Sequence, residues 1–193
     1  YGNSWESGPW KGWHKYAEEG YIFVFQDVRG KGKSEGLFVD IRPLLPLKHA
    51  KKAFDEATDT YDTADWLLKH VPNNNGNIGI SGNSYCGFYA IQGAISGHPA
   101  IKAAVPQAPV YSWFRGDDFH HNGAFMLRDA FGFTNRHCRL RKKVGQEVPS
   151  VNYFSTDEYS FYKDKTVKEL SELFKGEVPF WDDMCAHPDE DGW

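Results

Sequence analysis

The first strong apolar run in the chain is Tyr21-Ile22-Phe23-Val24-Phe25, followed by Gln26-Asp27 and ended by Gly30. An unbroken run of β-branched and aromatic residues predicts a strand buried on both faces of a parallel sheet. Residues 1–20 are rich in Gly, Trp and Ser and read as loop, with a short helix around Trp10–Glu18. Residues 28–52 read as a Gly- and Lys-rich loop and then a stretch containing Pro43 and Pro46. Phe54, Ala57, Tyr61, Ala64 and Leu68 then recur at the spacing of one helix face. Acidic Asp55, Glu56, Asp59 and Asp62 load the first half of that helix, and Lys69 and His70 close it, as the macrodipole favours. Pro72 and the Asn73–Gly76 tract stop it. A second strand is predicted over 77–81, an apolar helix over about 85–96 and a third strand over 101–105. Strands alternating with helices at this spacing predict an α/β fold around a parallel sheet.

The pattern changes after Val110. Residues 111–193 hold aromatics and charges but no further buried-strand run. They read as helices over about 117–132 and 164–175, with a basic run over 136–143 whose default is a solvated face. The expected organisation is therefore an α/β unit over 1–110 and a helical region over 111–193. No run of about 18 apolar residues is present, so no membrane-spanning helix is expected. With 14 Phe, 10 Tyr and 7 Trp in 193 residues, the chain has far too many buriable groups for disorder. A net charge of −4 gives no electrostatic footprint for nucleic acid. Cys86, Cys138 and Cys185 form neither a disulfide framework nor a zinc pattern. The chain starts at Tyr1 with no Met and no targeting segment, and the expectation is a piece of a longer protein, its compartment undecided.

The chemistry concentrates in Gly79-Ile80-Ser81-Gly82-Asn83-Ser84-Tyr85-Cys86-Gly87. A strand ends, Ser84 stands at the tip and a helix begins at once, which is the context of a nucleophile elbow. Such a turn needs small neighbours, and Gly82 supplies one; Cys86 stands where a second glycine is usual, with Gly87 next. The helix N-terminus aims unpaired N–H groups and partial positive charge at Ser84. The Tyr85 N–H is the natural oxyanion donor. The bland alternative is a serine that merely caps a structural helix.

Two other clusters invite chemistry. Gly30-Lys31-Gly32-Lys33-Ser34 looks like a phosphate loop, but Asp27 occupies the position where that loop requires glycine, so a glycine-rich turn is the better reading. Gly116-Asp117-Asp118-Phe119-His120-His121 offers a helix cap, a substrate-facing carboxylate or a metal site. Metal is disfavoured because adjacent residues do not share one helix face, and no metal or cofactor is expected.

Several motifs in order carry a family resemblance: Gln26–Gly30 with Ser34-Glu35-Gly36, Asp62–Leu67, Gly82–Gly87, Gly116–His120 and Gly123-Ala124-Phe125. Over about residues 20–130 the chain resembles the α/β-hydrolases of the Xaa-Pro dipeptidyl-peptidase and cocaine-esterase type. Within them it is most similar to the α-amino-acid ester hydrolase and glutaryl-cephalosporin acylase branch. Residues 131–193 resemble the helical cap of that family only loosely. The resemblance implies a partial α/β-hydrolase core (1–110) followed by part of a helical cap (111–193). It also implies acyl transfer by a Ser-His-Asp triad with Ser84 as nucleophile and the Tyr85 N–H in the oxyanion hole. A tyrosine hydroxyl from an upstream loop is the family's second oxyanion donor, and Tyr1 stands at that position or just after it. By position Asp118 would help bind a substrate's α-ammonium group, and a carboxylate suits the task because a buried cation needs a paired charge. The implied substrates are amino-acid esters or amides and short peptides, and the resemblance leans toward an exported protein.

The departure lies downstream. In this fold the acid and base follow the serine, at the ends of later strands, yet His137, His187, Asp189 and Asp191 follow no buried-strand run. The expectation is a serine hydrolase whose acid and base lie in the rest of a parent chain, with these 193 residues showing little turnover alone. The alternatives are a non-catalytic α/β-hydrolase-like binding module and, more remotely, a nucleotide-dependent switch. Sheet edges lacking their neighbours also predict self-association into a homo-oligomer.

Overall fold

The computed structural model describes residues 13–42, 44, 54–115, 118–152, 157–187 and 189. Helix α1 (His14–Glu18) is followed over residues 21–42 by described chain that forms no helix, and α2 spans Glu56–His70. Asp55 caps α2: its side chain accepts from the Thr58 amide at 2.8 Å, and the Thr58 hydroxyl receives the Asp55 N–H at 2.8 Å. Strand β1 (Ile78–Asn83), helix α3 (Tyr85–Ile95) and strand β2 (Ile101–Gln107) form one β-α-β unit. The strands are parallel, with Ile80 opposite Ala104, Ser81 opposite Val105 and Asn83 opposite Gln107. Gly93 lets α3 lie close to its neighbours, since a Cβ there would stand 2.4 Å from Ile80 Cδ1 and 3.3 Å from Thr60 Cγ2.

His98 staples the entry to β2. The residue is 4% exposed, and its ring accepts the Ala100 N–H at Nδ1 (3.1 Å) and reaches Asp65 of α2 through Nε2 at 3.2 Å. The neutral ring can therefore serve both partners.

Two predicted elements differ. Residues 21–27 form no ladder: the parallel sheet among the described residues has two strands, β1 and β2. A strand is stabilised by its neighbour, and this run meets none there; Tyr21 stays 61% exposed and Phe25 55%. Its aromatic side chains turn to α1 instead, with Trp13 tilted on Phe23 and stacked on Phe25. The helix expected over 117–132 is instead a hairpin, β3 (His120–His121) with β4 (Ala124–Phe125), and then α4 (Leu127–His137). Asn122 and Gly123 explain this, because both have positive φ (48° and 84°) and turn the chain between the strands.

Among the described residues three further helices follow: α5 (Glu158–Tyr162), α6 (Val167–Phe174) and α7 (Pro179–Ala186). Phe131, Leu170, Phe174, Val178 and Trp181 are wholly buried and belong to one core cluster with Phe38, Phe88 and Trp113. The basic run is less solvated than expected. Arg139 pairs with Glu177, Arg141 donates to the carbonyls of Gly32 and Ser34, and the Lys31 ammonium donates to the Arg139 carbonyl at 2.9 Å. The glycine-rich turn is thus a clasp: its Lys33 N–H faces Asp27 at 2.9 Å, and no helix follows Ser34 before residue 43.

Candidate active site

Ser84 sits between the end of β1 and the first residue of α3, exposed, at φ 56° and ψ −121°. This is a costly conformation for a residue with a side chain and persists only where the surroundings fix it. The main chain fixes it here. The Ser84 N–H donates to the Gln107 carbonyl at 2.8 Å, tying the turn to β2, and the Gly87 N–H donates to the Ser84 carbonyl at 2.8 Å.

The small residues earn their places by distance. A Cβ at position 82 would stand 2.1 Å from the Cys86 carbonyl oxygen, so only glycine fits. At position 87 it would stand 2.8 Å from the Gln107 carbonyl oxygen and 3.0 Å from Pro109 Cα. Cys86 itself is exposed. The close approach to the strand therefore falls on Gly87, and Cys86 is no obstacle to the turn.

The Tyr85 amide opens α3, where the first N–H groups have no carbonyl one turn behind them and carry the positive end of the dipole. The Tyr85 side chain points the other way, into the core, with ring centroids 5.4 Å from Phe133 and 5.5 Å from Tyr89. Its hydroxyl donates to Asp40 at 2.6 Å. Burial pushes the Tyr85 phenol well above its ordinary value, so it stays a donor. Sequence reasoning passed over Asp40; the available signal was an acid inside the apolar run Leu37-Phe38-Val39-Asp40-Ile41.

Asp118 lies in the turn before β3, exposed. It does not cap α4, which begins nine residues later at Leu127. With Phe119, Asp129, Phe133 and Arg136 it lines an open cleft of about 380 Å³, across which Arg128 pairs with Glu158. Phe133 belongs to both places, lining the cleft and lying against the Tyr85 ring. Tyr1 and Asp117 lie outside the described residues.

Four of the described histidines are engaged elsewhere. His98 bonds Asp65, the Nδ1 of His120 meets the Phe114 carbonyl at 3.1 Å, and that of His187 meets the Asp183 carbonyl at 3.0 Å. His137 packs on Phe133, and burial holds its ring below the ordinary histidine range. Among the described residues no group of three His, Cys, Asp or Glu is arranged to hold a metal ion, and no helix is long and apolar enough to cross a membrane.

The family model described as X-Pro dipeptidyl-peptidase (S15 family) matches residues 1–193, the whole chain. The chain belongs to the X-Pro dipeptidyl-peptidase (S15) family. Relatives of this serine hydrolase family include the cocaine esterase of Rhodococcus sp. (strain MB1 Bresler), 31% identical over 122 residues. A putative Xaa-Pro dipeptidyl-peptidase of Bacillus anthracis is 30% identical over 145 residues. These matches cover 63% and 70% of this chain but 19% and 23% of those proteins. Among solved structures, an α-amino acid ester hydrolase aligns over 89% of the chain at 36% identity, with a TM-score of 0.74. An aminopeptidase from a marine sediment archaeon, Thaumarchaeota archaeon, aligns over 90% at 34% identity, with a TM-score of 0.75. The chain spans 27% and 28% of those two structures. Its parallel strands and intervening helix thus correspond to part of an α/β-hydrolase, as the motifs of this S15 chain implied.

Proposed function

We propose that the protein hydrolyses acyl esters or amides, of amino acids or short peptides, with Ser84 as nucleophile. The observation that carries this is the strained Ser84, φ 56° and ψ −121°, exposed at a strand-to-helix turn whose flanking glycines admit no side chain. In this reading residues 1–110 are part of the α/β core and 111–193 part of a helical cap. Ser84 Oγ attacks the acyl carbon, and the carbonyl oxygen gains charge facing the Tyr85 N–H at the positive end of α3. Tyr1 is the candidate for a second, hydroxyl donor. Asp118, at the rim of the cleft, takes the substrate's α-ammonium group. In this reading the base and acid of the triad come from the rest of the gene product; among the described residues no histidine bonds Ser84. Without a base the serine hydroxyl is a poor nucleophile.

A fluorophosphonate probe applied to the complete gene product tests the assignment. The labelled peptide is expected to contain Ser84, and Ser84→Ala is expected to abolish both label and hydrolysis. A folded protein that carries no label on this peptide and hydrolyses no ester would instead be a non-catalytic binding module.

A further inference from the structure

Behind Ser84 lies a carboxylate that the steps above do not use. Asp40 is 8% exposed. The Tyr85 hydroxyl donates to its Oδ1 at 2.6 Å, and the Cys138 thiol approaches the same oxygen at 3.4 Å. The Trp113 Nε1–H donates to Oδ2 at 2.8 Å. These donors stand 45, 98 and 73 positions away, at the start of α3, the end of α4 and the loop after β2. Burial pushes the Asp40 carboxyl up, and hydrogen bonds from Tyr85, Trp113 and Cys138 pull it back toward the ionised form. Burial also keeps the Cys138 thiol protonated, so Tyr85 and Cys138 both face the carboxylate as donors.

The geometry matters because of which residue Tyr85 follows. Ser84 occupies a backbone conformation that its neighbours must enforce. On one side the Gln107 carbonyl and Gly87 amide do so, both at 2.8 Å. On the other side the chain leaves Ser84 through Tyr85, whose side chain ends on Asp40. We propose that Asp40 is a positioning residue for hydrolysis: by holding the Tyr85 hydroxyl it fixes the direction in which the Tyr85 amide meets the developing oxyanion. The inference rests on Ser84 being the nucleophile and Tyr85 the amide donor. Losing an oxyanion donor outright lowers kcat by about 10²–10³-fold, so misaiming one is expected to lower it by roughly 10–100-fold.

The test uses the complete gene product and Asp40→Ala, Tyr85→Phe, their double variant and Ser84→Ala. Each is measured for kcat, KM and affinity for a trifluoromethyl ketone that forms a tetrahedral adduct. Asp40→Ala and Tyr85→Phe should each lower kcat by roughly 10–100-fold, move KM less than about threefold, and weaken the ketone by the same factor as kcat/KM. The double variant should be no worse than the poorer single one, since both break one hydrogen bond. A kcat within about twofold of the parent in both single variants, or losses that multiply, overturns the proposal. So does a rise in KM with kcat unchanged. Where Asp40→Ala fails to fold by near-ultraviolet circular dichroism, Tyr85→Phe decides alone, because Asp40 then keeps two donors. Hydrolysis surviving in Ser84→Ala would instead sink the serine assignment, a result separate from either variant of the pair.

Discussion

Gly82 and Gly87 are close in sequence, but they constrain Ser84 from different sides. Gly82 faces the first turn of α3 and Gly87 faces β2, and in each case the obstacle is main chain that cannot rotate away. Gly82→Ala is therefore expected to destabilise the protein by a few kcal/mol and to remove fluorophosphonate labelling of Ser84. Cys86→Ala, at an exposed side chain, should stay within about 0.5 kcal/mol of the parent in chemical denaturation. Asp118 makes a different demand, on the substrate. Asp118→Asn should raise KM for α-amino esters by about tenfold or more while leaving N-acylated esters nearly unaffected; equal effects on both would remove its proposed role. The contrast between Ser84 and Asp40 shows what a sequence can reveal. Every determinant of the turn except Gln107 and Pro109 lies within residues 79–87, so the motif was legible. The partners of Asp40 come from three segments that only the fold brings together, and no local spacing announces them.

At the scale of elements, the parts with local signals were also the readable ones. Helix α2 begins where Asp55 and Thr58 form reciprocal bonds, and it ends at the predicted His70. The run over 117–132 misled because its apolar spacing suits a helix, whereas Asn122-Gly123 breaks it into a hairpin before α4. Helix α6 carries another reciprocal cap: the Thr166 amide donates to Glu169 at 2.7 Å and the Glu169 amide to the Thr166 hydroxyl at 3.3 Å. The Thr166 N–H, and then its hydroxyl, hold the Glu169 carboxyl below the ordinary range; the Ser160 N–H does the same for Asp157 at the start of α5. A depressed carboxyl binds its proton less tightly folded than unfolded, so its contribution is complete above the unfolded value and lost as pH falls through the folded one. Melting temperature is thus expected to fall on acidification below about pH 4.5, the ordinary glutamate value. Glu169→Gln should flatten part of that slope, because its amide oxygen still accepts but no longer titrates. An unchanged slope would show that the cap contributes nothing to acid sensitivity.

Across the whole molecule, the core joins residues on both sides of position 110. Phe38 and Phe88 belong to the same buried cluster as Phe131, Phe174 and Trp181. The link is aromatic and continuous: Tyr85 meets Phe133 at 5.4 Å, Phe133 meets Trp113 at 5.4 Å, and Trp113 stacks on Phe119 at 3.9 Å. Further out, the Trp181 ring lies 5.3 Å from Phe131 and 5.6 Å from Phe174, and its Nε1–H donates to the Ser171 hydroxyl at 2.9 Å. Trp181→Ala removes a wholly buried ring and should destabilise the protein by about 3–5 kcal/mol. Because the cluster is shared, that loss should be felt at the far end. Denaturation followed by accessibility of the buried Cys138 thiol and by reactivity of Ser84 should give one midpoint in the parent and one lower midpoint in Trp181→Ala. Two separated midpoints would mean that the β-α-β unit and the helices around Trp181 unfold independently. The aromatic chain through Tyr85 would then be a contact between two bodies, and the turn at Ser84 would owe its shape to β1, α3 and β2 alone.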